Sequence, residues 1–206
     1  VIYLVDNSLD GKGQSPRDIL QALAQLRPDT PVVREHYTTA SLGRLEELGA
    51  THVVLSGQPD PWSRYRAEDL AGVFQIIREA RQPILGVCGG HQQIALCHGV
   101  EVGLMKRLAP GDGYCGAMRV RGYKKVERFG NGILDGLPAT LDVWHSHCDE
   151  VRELPAGFAH VAGSKTCRIE AMQHRSRPLF GVQFHPELFD HLHPHGRRIF
   201  DNFLRL

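Results

Sequence analysis

The chain has 206 residues, enough for one sizeable domain with a proper core and too few for two large enzymatic modules. Hydrophobic residues make up 42% and charged residues 23%, a balance that excludes disorder and fibrous repeats. With 24 Lys plus Arg against 23 Asp plus Glu, the net charge is +1, so no nucleic-acid partner is expected; no apolar run nears the ~20 residues that cross a bilayer, so no membrane is expected either.

In chain order, Val1 to Asp6 reads as a strand. Ser15 is placed to cap the next helix, with Pro16 at its first position and Ile19, Leu20, Leu23 and Leu26 at helical spacing. Pro31 to Glu35 and Thr51 to Ser56 read as strands, Leu42 to Leu48 as a short helix and Ala67 to Ala80 as a longer one. Pro83 to Val87 is a buried strand that runs into Cys88-Gly89-Gly90 and then an amphipathic stretch to Cys97. From Val100 the texture changes to glycine-punctuated short segments such as Met118 to Val120 and Leu141 to Trp144. Phe158 to Ala162, Ile169 to Gln173 and Leu179 to Phe184 read as further strands, and Arg197 to Leu206 as a closing helix. The pattern predicts an α/β fold: a flavodoxin-like open, mostly parallel sheet, helices on both faces, and an added β-rich region in the second half. With no repeat or linker in sight, residues 1–206 are expected to form a single domain.

Five cysteines (Cys88, Cys97, Cys115, Cys148, Cys167) are odd in number and scattered, which fits reduced thiols rather than a disulfide framework. The opening residues lack the basic leader of a secretory signal, and a cytoplasmic location is the default expectation.

Two segments carry chemistry. Gly86-Val87-Cys88-Gly89-Gly90-His91-Gln92 is a thiol version of the G-x-S-x-G nucleophile elbow, in which flanking glycines permit a sharp strand-to-helix turn. A helix N-terminus or a neighbouring imidazolium lowers a cysteine pKa from its usual value of about 8.5 toward neutrality. Gly181-Val182-Gln183-Phe184-His185-Pro186-Glu187 places His185 at the end of a predicted strand, where α/β ligand sites gather. Residues two apart in extended chain share a face, so Glu187 is positioned to orient the His185 imidazole, the base-plus-orienter logic of a triad. Either segment alone also reads as a structural feature, a buried cysteine in a turn or a solvated His-Pro-Glu corner. Together they make a nucleophile and its base.

These motifs, 97 positions apart, resemble those of class I glutamine amidotransferases, glutaminase domains with a Cys-His-Glu triad. Within that family, Val143-Trp144-His145-Ser146-His147-Cys148-Asp149-Glu150-Val151 looks like the S-H-x-D-x-V element of the GMP synthetase branch, and Cys167 to His174 like the stretch before the triad histidine in its separately encoded amidotransferase subunit. The resemblance spans nearly the whole chain. It implies that Cys88 attacks the glutamine carboxamide, that His185 moves the proton and that a γ-glutamyl thioester is then hydrolysed. Gly89, Gln58 and Gly57 are the implied oxyanion hole, and Gln92, Ser146, His147 and Cys148 the implied glutamine-binding residues. Gln58 stands where that branch usually has a second glycine; if it sits at positive φ, the loop has to rearrange before it can donate.

The chain has no phosphate-binding loop of the S-G-G-x-D-S or G-x-x-x-x-G-K type, so no cofactor is expected on it; ATP and magnesium are expected on a separate synthetase subunit, the implied partner beside L-glutamine. His191, His193 and His195 suit an exposed turn better than a metal cluster, and no metal is assigned. Alternatives are an amidotransferase of a secondary-metabolic synthase, a stand-alone γ-glutamyl hydrolase and a binding module without turnover.

Overall fold

The structure, a computed structural model, describes residues 1–206. Its first half alternates strand and helix: β1 (Ile2–Asp6), α1 (Gln14–Leu26), β2 (Val32–His36), α2 (Leu42–Glu47), β3 (His52–Leu55), α3 (Ala71–Glu79), β4 (Ile84–Val87) and α4 (Gly89–Cys97). The second half is mostly strand: β5 (Val102–Leu104), β6 (Val120–Arg128), β7 (Thr140–His147), β8 (Asp149–Val151), β9 (Phe158–Gly163), β10 (Ala171–His174) and β11 (Leu179–Val182), closed by α5 (His195–Phe203).

Nine strands form one sheet in the order β2-β1-β3-β4-β11-β10-β9-β6-β7, parallel from β2 to β11 and antiparallel beyond. β5 and β8 pair apart from it. The expected α/β fold with a β-rich addition is therefore observed.

Strand alternation builds two cores. Along β1, Ile2 and Leu4 face α1 and α5, packing with Ile19, Leu23, Phe200 and Phe203, while Tyr3 and Val5 face the opposite layer with Leu45, Val73 and Ile76 of α2 and α3. Helices thus cover both faces of the parallel half.

Three expectations change. Helix α1 starts one residue before Ser15, with Gly13 at its cap; Ser15 Oγ is engaged elsewhere, as described below. The expected helix from Ala67 begins as a single 3₁₀ turn, Ala67–Leu70, before α3. Beyond Met118 the sequence suggested only a short strand, yet β6 runs nine residues and pairs with β7 from Val120↔His147 to Glu127↔Thr140. Its Lys and Arg side chains sit on an exposed face while Val120 and Val126 are buried, which hides the alternation. No helix is long and apolar enough to cross a membrane.

Candidate active site

Strand β4 is wholly buried and ends at Cys88, whose φ of 50° and ψ of −99° make it the only non-glycine residue at positive φ. A side chain in that region carries strain, and the surroundings enforce it. The Cys88 N–H donates to Val182 O at 2.8 Å, and its carbonyl accepts the first α4 bond from Gln92 N at 3.1 Å. Glycine is needed on both sides. A Cβ on Gly86 would come 2.5 Å from the Gly90 backbone, and one on Gly90 would come 2.3 Å from Leu55 O, so only bare backbone lets α4 approach the sheet this closely.

Strand β11, next to β4, delivers the base. His185 N donates to Trp144 O at 2.7 Å, and Nδ1 lies 2.8 Å from Glu187 Oε1, with both side chains buried. Ser15 Oγ donates to the same Glu187 oxygen at 3.0 Å. Burial alone would disfavour the charged ring, but Glu187 and the Cys88 sulfur together outweigh it and hold His185 well above the ordinary imidazole range. His185 Nε2 completes no hydrogen bond. Cys88 and His185 line the same pocket, of about 470 Å³.

The sites expected around this core fall into different places. The backbone nitrogen of Gln58 lies against Gly89, since a Cβ there would come 2.7 Å from it, so these two amides flank the position after the sulfur. Gln58 is not at positive φ; the strained residue is Cys88 itself, and the feared backbone conflict at Gln58 does not arise. Gly57 is not free to act as an oxyanion donor in this arrangement, because its N–H is given to Ser15 Oγ at 3.0 Å. Gln92, Ser146, His147 and Cys148 all line the pocket. Of these, His147 turns Nδ1 to Asp149 O at 2.9 Å, so its tautomer is fixed by the backbone.

Sequence reasoning missed four contributors. Gln183 accepts from Gln92 Nε2 at 3.0 Å, and its own Nε2 lies 3.6 Å from Cys88 Sγ; its place two residues before His185, on the same strand face, was the available signal. Ser15 had been assigned to a cap. Trp62 Nε1 donates to Gln92 Oε1 at 2.7 Å, and the Tyr114 hydroxyl donates to Asp149 Oδ2 at 2.7 Å. Tyr114 belongs to the glycine-rich segment 105–119, which the Arg107 guanidinium braces through the carbonyls of Gly111, Gly113 and Cys115. Nothing in that segment's pattern pointed to the pocket.

Three possible metal ligands meet at one place, behind the pocket. His145 Nδ1 is 3.4 Å from His147 Nε2 and 3.7 Å from Glu170 Oε2, all buried. Burial pushes the two imidazoles down to about 3 and about 4 and the Glu170 carboxyl up to about 8, so neutral forms are favoured around pH 7. The expected turn at His191, His193 and His195 sends its nitrogens apart: His193 Nδ1 faces Asp190, and His195 Nδ1 accepts from Asp142 N.

A strained cysteine at a strand-to-helix elbow, with a carboxylate-backed histidine on the neighbouring strand, is the arrangement that the sequence motifs anticipated. The sequence matches the family of class-I glutamine amidotransferases over residues 8–206. The chain belongs to that family. The amidotransferase is 35% identical to a glutamine-hydrolyzing GMP synthase subunit from Thermococcus kodakarensis, with 96% of each chain covered, and 37% identical to the subunit of the same name from Methanosarcina barkeri, with 94% of this chain and 92% of that one covered. A crystal structure from Thermoplasma acidophilum, 32% identical, covers 99% of this chain and 92% of its own at a TM-score of 0.81. A glutamine amidotransferase from Methylobacillus flagellatus, at 15% identity and a TM-score of 0.71, shares the fold.

Proposed function

We propose that this amidotransferase hydrolyses L-glutamine to glutamate and ammonia and delivers the ammonia to a separate ATP-dependent synthetase subunit that makes GMP from xanthosine monophosphate. The observation that carries the chemistry is His185 between Glu187, at 2.8 Å, and the Cys88 sulfur in one buried pocket. Glu187 fixes the imidazole with Nδ1 toward the carboxylate, which leaves Nε2 for the sulfur side.

Cys88 gives its proton to His185, and the thiolate adds to the substrate's Cδ carbonyl carbon. The amides of Gly89 and Gln58 are the donors placed to meet the resulting oxyanion. His185 returns the proton to the departing nitrogen, ammonia leaves and a γ-glutamyl thioester remains. Water, deprotonated by the same imidazole, releases glutamate and restores the thiol. The electrostatics support this division, because the imidazolium that forms in each half is the species that Glu187 and the thiolate favour.

The acceptor follows from the names of the relatives. A protein named as one subunit of a glutamine-hydrolyzing GMP synthase works with another subunit, and ATP and magnesium belong to that partner in this reading.

The test is ammonia release from glutamine by the chain alone, and then with an archaeal-type GMP synthetase subunit, ATP, magnesium and xanthosine monophosphate. Partner-stimulated release coupled to GMP formation supports the proposal. Release that ignores the partner overturns the acceptor, and Cys88→Ala turning over like the parent removes Cys88 from its role.

A further inference from the structure

The carboxamide of Gln92 has two donor hydrogens and two acceptor positions, and all four are taken. Its Nε2 donates to Asp149 O at 3.2 Å and to Gln183 Oε1 at 3.0 Å, while its Oε1 accepts from Trp62 Nε1 at 2.7 Å and from Gln58 Nε2 at 3.3 Å. Three of these partners are framework: a backbone carbonyl, the side chain before His185, and an indole. The fourth is a flexible side chain that itself lines the pocket. With Gln58 in place, Gln92 has nothing left to offer a ligand.

Gln58 is held poorly. Its second contact, Nε2 to the Tyr114 hydroxyl, is 3.4 Å, and its Oε1 is buried with no donor at all. That oxygen lies over Gly89, where a Cβ would come 2.0 Å from it, so the side-chain amide reaches the residue after the nucleophile. A carboxamide in this position has the same functional group as the substrate's reacting end. A buried oxygen without a donor makes the arrangement costly to keep and easy to exchange.

We infer that the Gln58 carboxamide is an internal competitor for glutamine: it occupies the Gln92 acceptor and the space beside Gly89, and the substrate binds by displacing it. Tyr114 is the latch. Its hydroxyl donates to Asp149 Oδ2 at 2.7 Å, which leaves a lone pair to receive Gln58 Nε2 and ties the plug to the segment 105–119. Movement of that segment on docking a partner would loosen both contacts together. The inference rests on the glutaminase reading above.

The apparent dissociation constant of a ligand rises as the competent fraction of its site falls. One neutral hydrogen bond corresponds to about a five-fold occupancy ratio, so removing the plug is expected to tighten glutamine binding by about that factor. The full chain carrying Cys88→Ala, which cannot form the thioester, is titrated with L-glutamine by calorimetry, with and without Gln58→Met; Met keeps the length and the backbone N–H but cannot donate. Ammonia release is measured in the Cys88 parent in parallel, alone and with the synthetase subunit.

A Kd about five-fold lower in Gln58→Met, matched by a lower KM, is the expected result. Tyr114→Phe is expected to shift both in the same direction by about two-fold, because it removes the latch and leaves the plug. Unchanged or weaker binding in Gln58→Met makes Gln58 part of the binding surface and overturns the inference. Should Gln58→Met fail to fold, Tyr114→Phe decides by the same sign. Absence of both glutamine binding and ammonia release in every form, partner included, defeats the glutaminase reading itself, an outcome distinct from equal affinities.

Discussion

Cys88 is the strained residue of the elbow, and the strain is measurable apart from the chemistry. Cys88→Ala and Cys88→Gly both remove the sulfur; they differ in that alanine keeps a Cβ at φ 50°, ψ −99° and glycine does not. A side chain forced into such a region costs about 1–3 kcal/mol. Glycine gives back roughly 0.4–1 kcal/mol through the larger freedom of its unfolded chain. The balance favours the glycine variant by about 1 kcal/mol, which for a domain of this size is ~2–4 °C in Tm. Differential scanning calorimetry and urea melts on the two variants side by side check this, and neither should release ammonia. A glycine variant that melts at or below the alanine variant would show that the backbone at residue 88 is relaxed, and the elbow geometry would then be wrong.

Two further outcomes follow from groups around the triad. Ser15→Ala removes the hydroxyl that donates to Glu187 and accepts from Gly57, and we expect about a ten-fold fall in kcat with the melting temperature within a few degrees; unchanged kcat in an ammonia assay would make Ser15 a bystander. Glu170 sits buried with its pKa raised to about 8, so its neutral carboxyl contributes stability that is full below the unfolded value near 4.5 and is lost as pH rises through about 8. His145 and His147 act in the opposite sense, costing stability as pH falls below 6.5 toward about 3 and about 4. Glu170→Gln is therefore expected to flatten the decline in urea-melt stability between pH 6 and pH 9, with a residual slope from His185; parallel profiles would mean that the carboxyl is ionised throughout.

The parallel half was legible because each of its strands and helices is a local pattern with its own punctuation. Val1 to Asp6, Pro83 to Val87 and the Ile19–Leu26 spacing each state their element without reference to anything distant. The nucleophile and the base were legible for the same reason, since the elbow glycines and His-Pro-Glu are short-range geometries. Ser15 misled because a serine before Pro16 satisfies the capping pattern, yet its hydroxyl is claimed by Glu187, 172 positions away. Tyr114 was invisible because a tyrosine in a glycine-rich stretch has no periodicity, and its role depends on Asp149 and Gln58 arriving from other elements. β6 failed as a pattern for a different reason: its outward Lys and Arg and its Gly122 at φ 90° break up the alternation that its pairing with β7 supplies.

The β-rich addition is a wall of the active site rather than an appendage. In sheet order β7 lies four strands beyond β11, which in a flat sheet is a separation of ~19 Å. The Trp144 carbonyl on β7 nevertheless accepts the His185 N–H at 2.7 Å, an isolated antiparallel bridge between the far edge and the residue that ends the β11 segment. The antiparallel half must therefore curl back over the carboxyl ends of β4 and β11, as sheet twist permits. That curl places Ser146 and His147 in the pocket with Cys88, and the following Asp149 offers its carbonyl to both Gln92 and His147. The backbone position of the catalytic imidazole thus depends on the register of β7, and the strand pairing farthest from the nucleophile in the sheet helps to set the geometry at the sulfur.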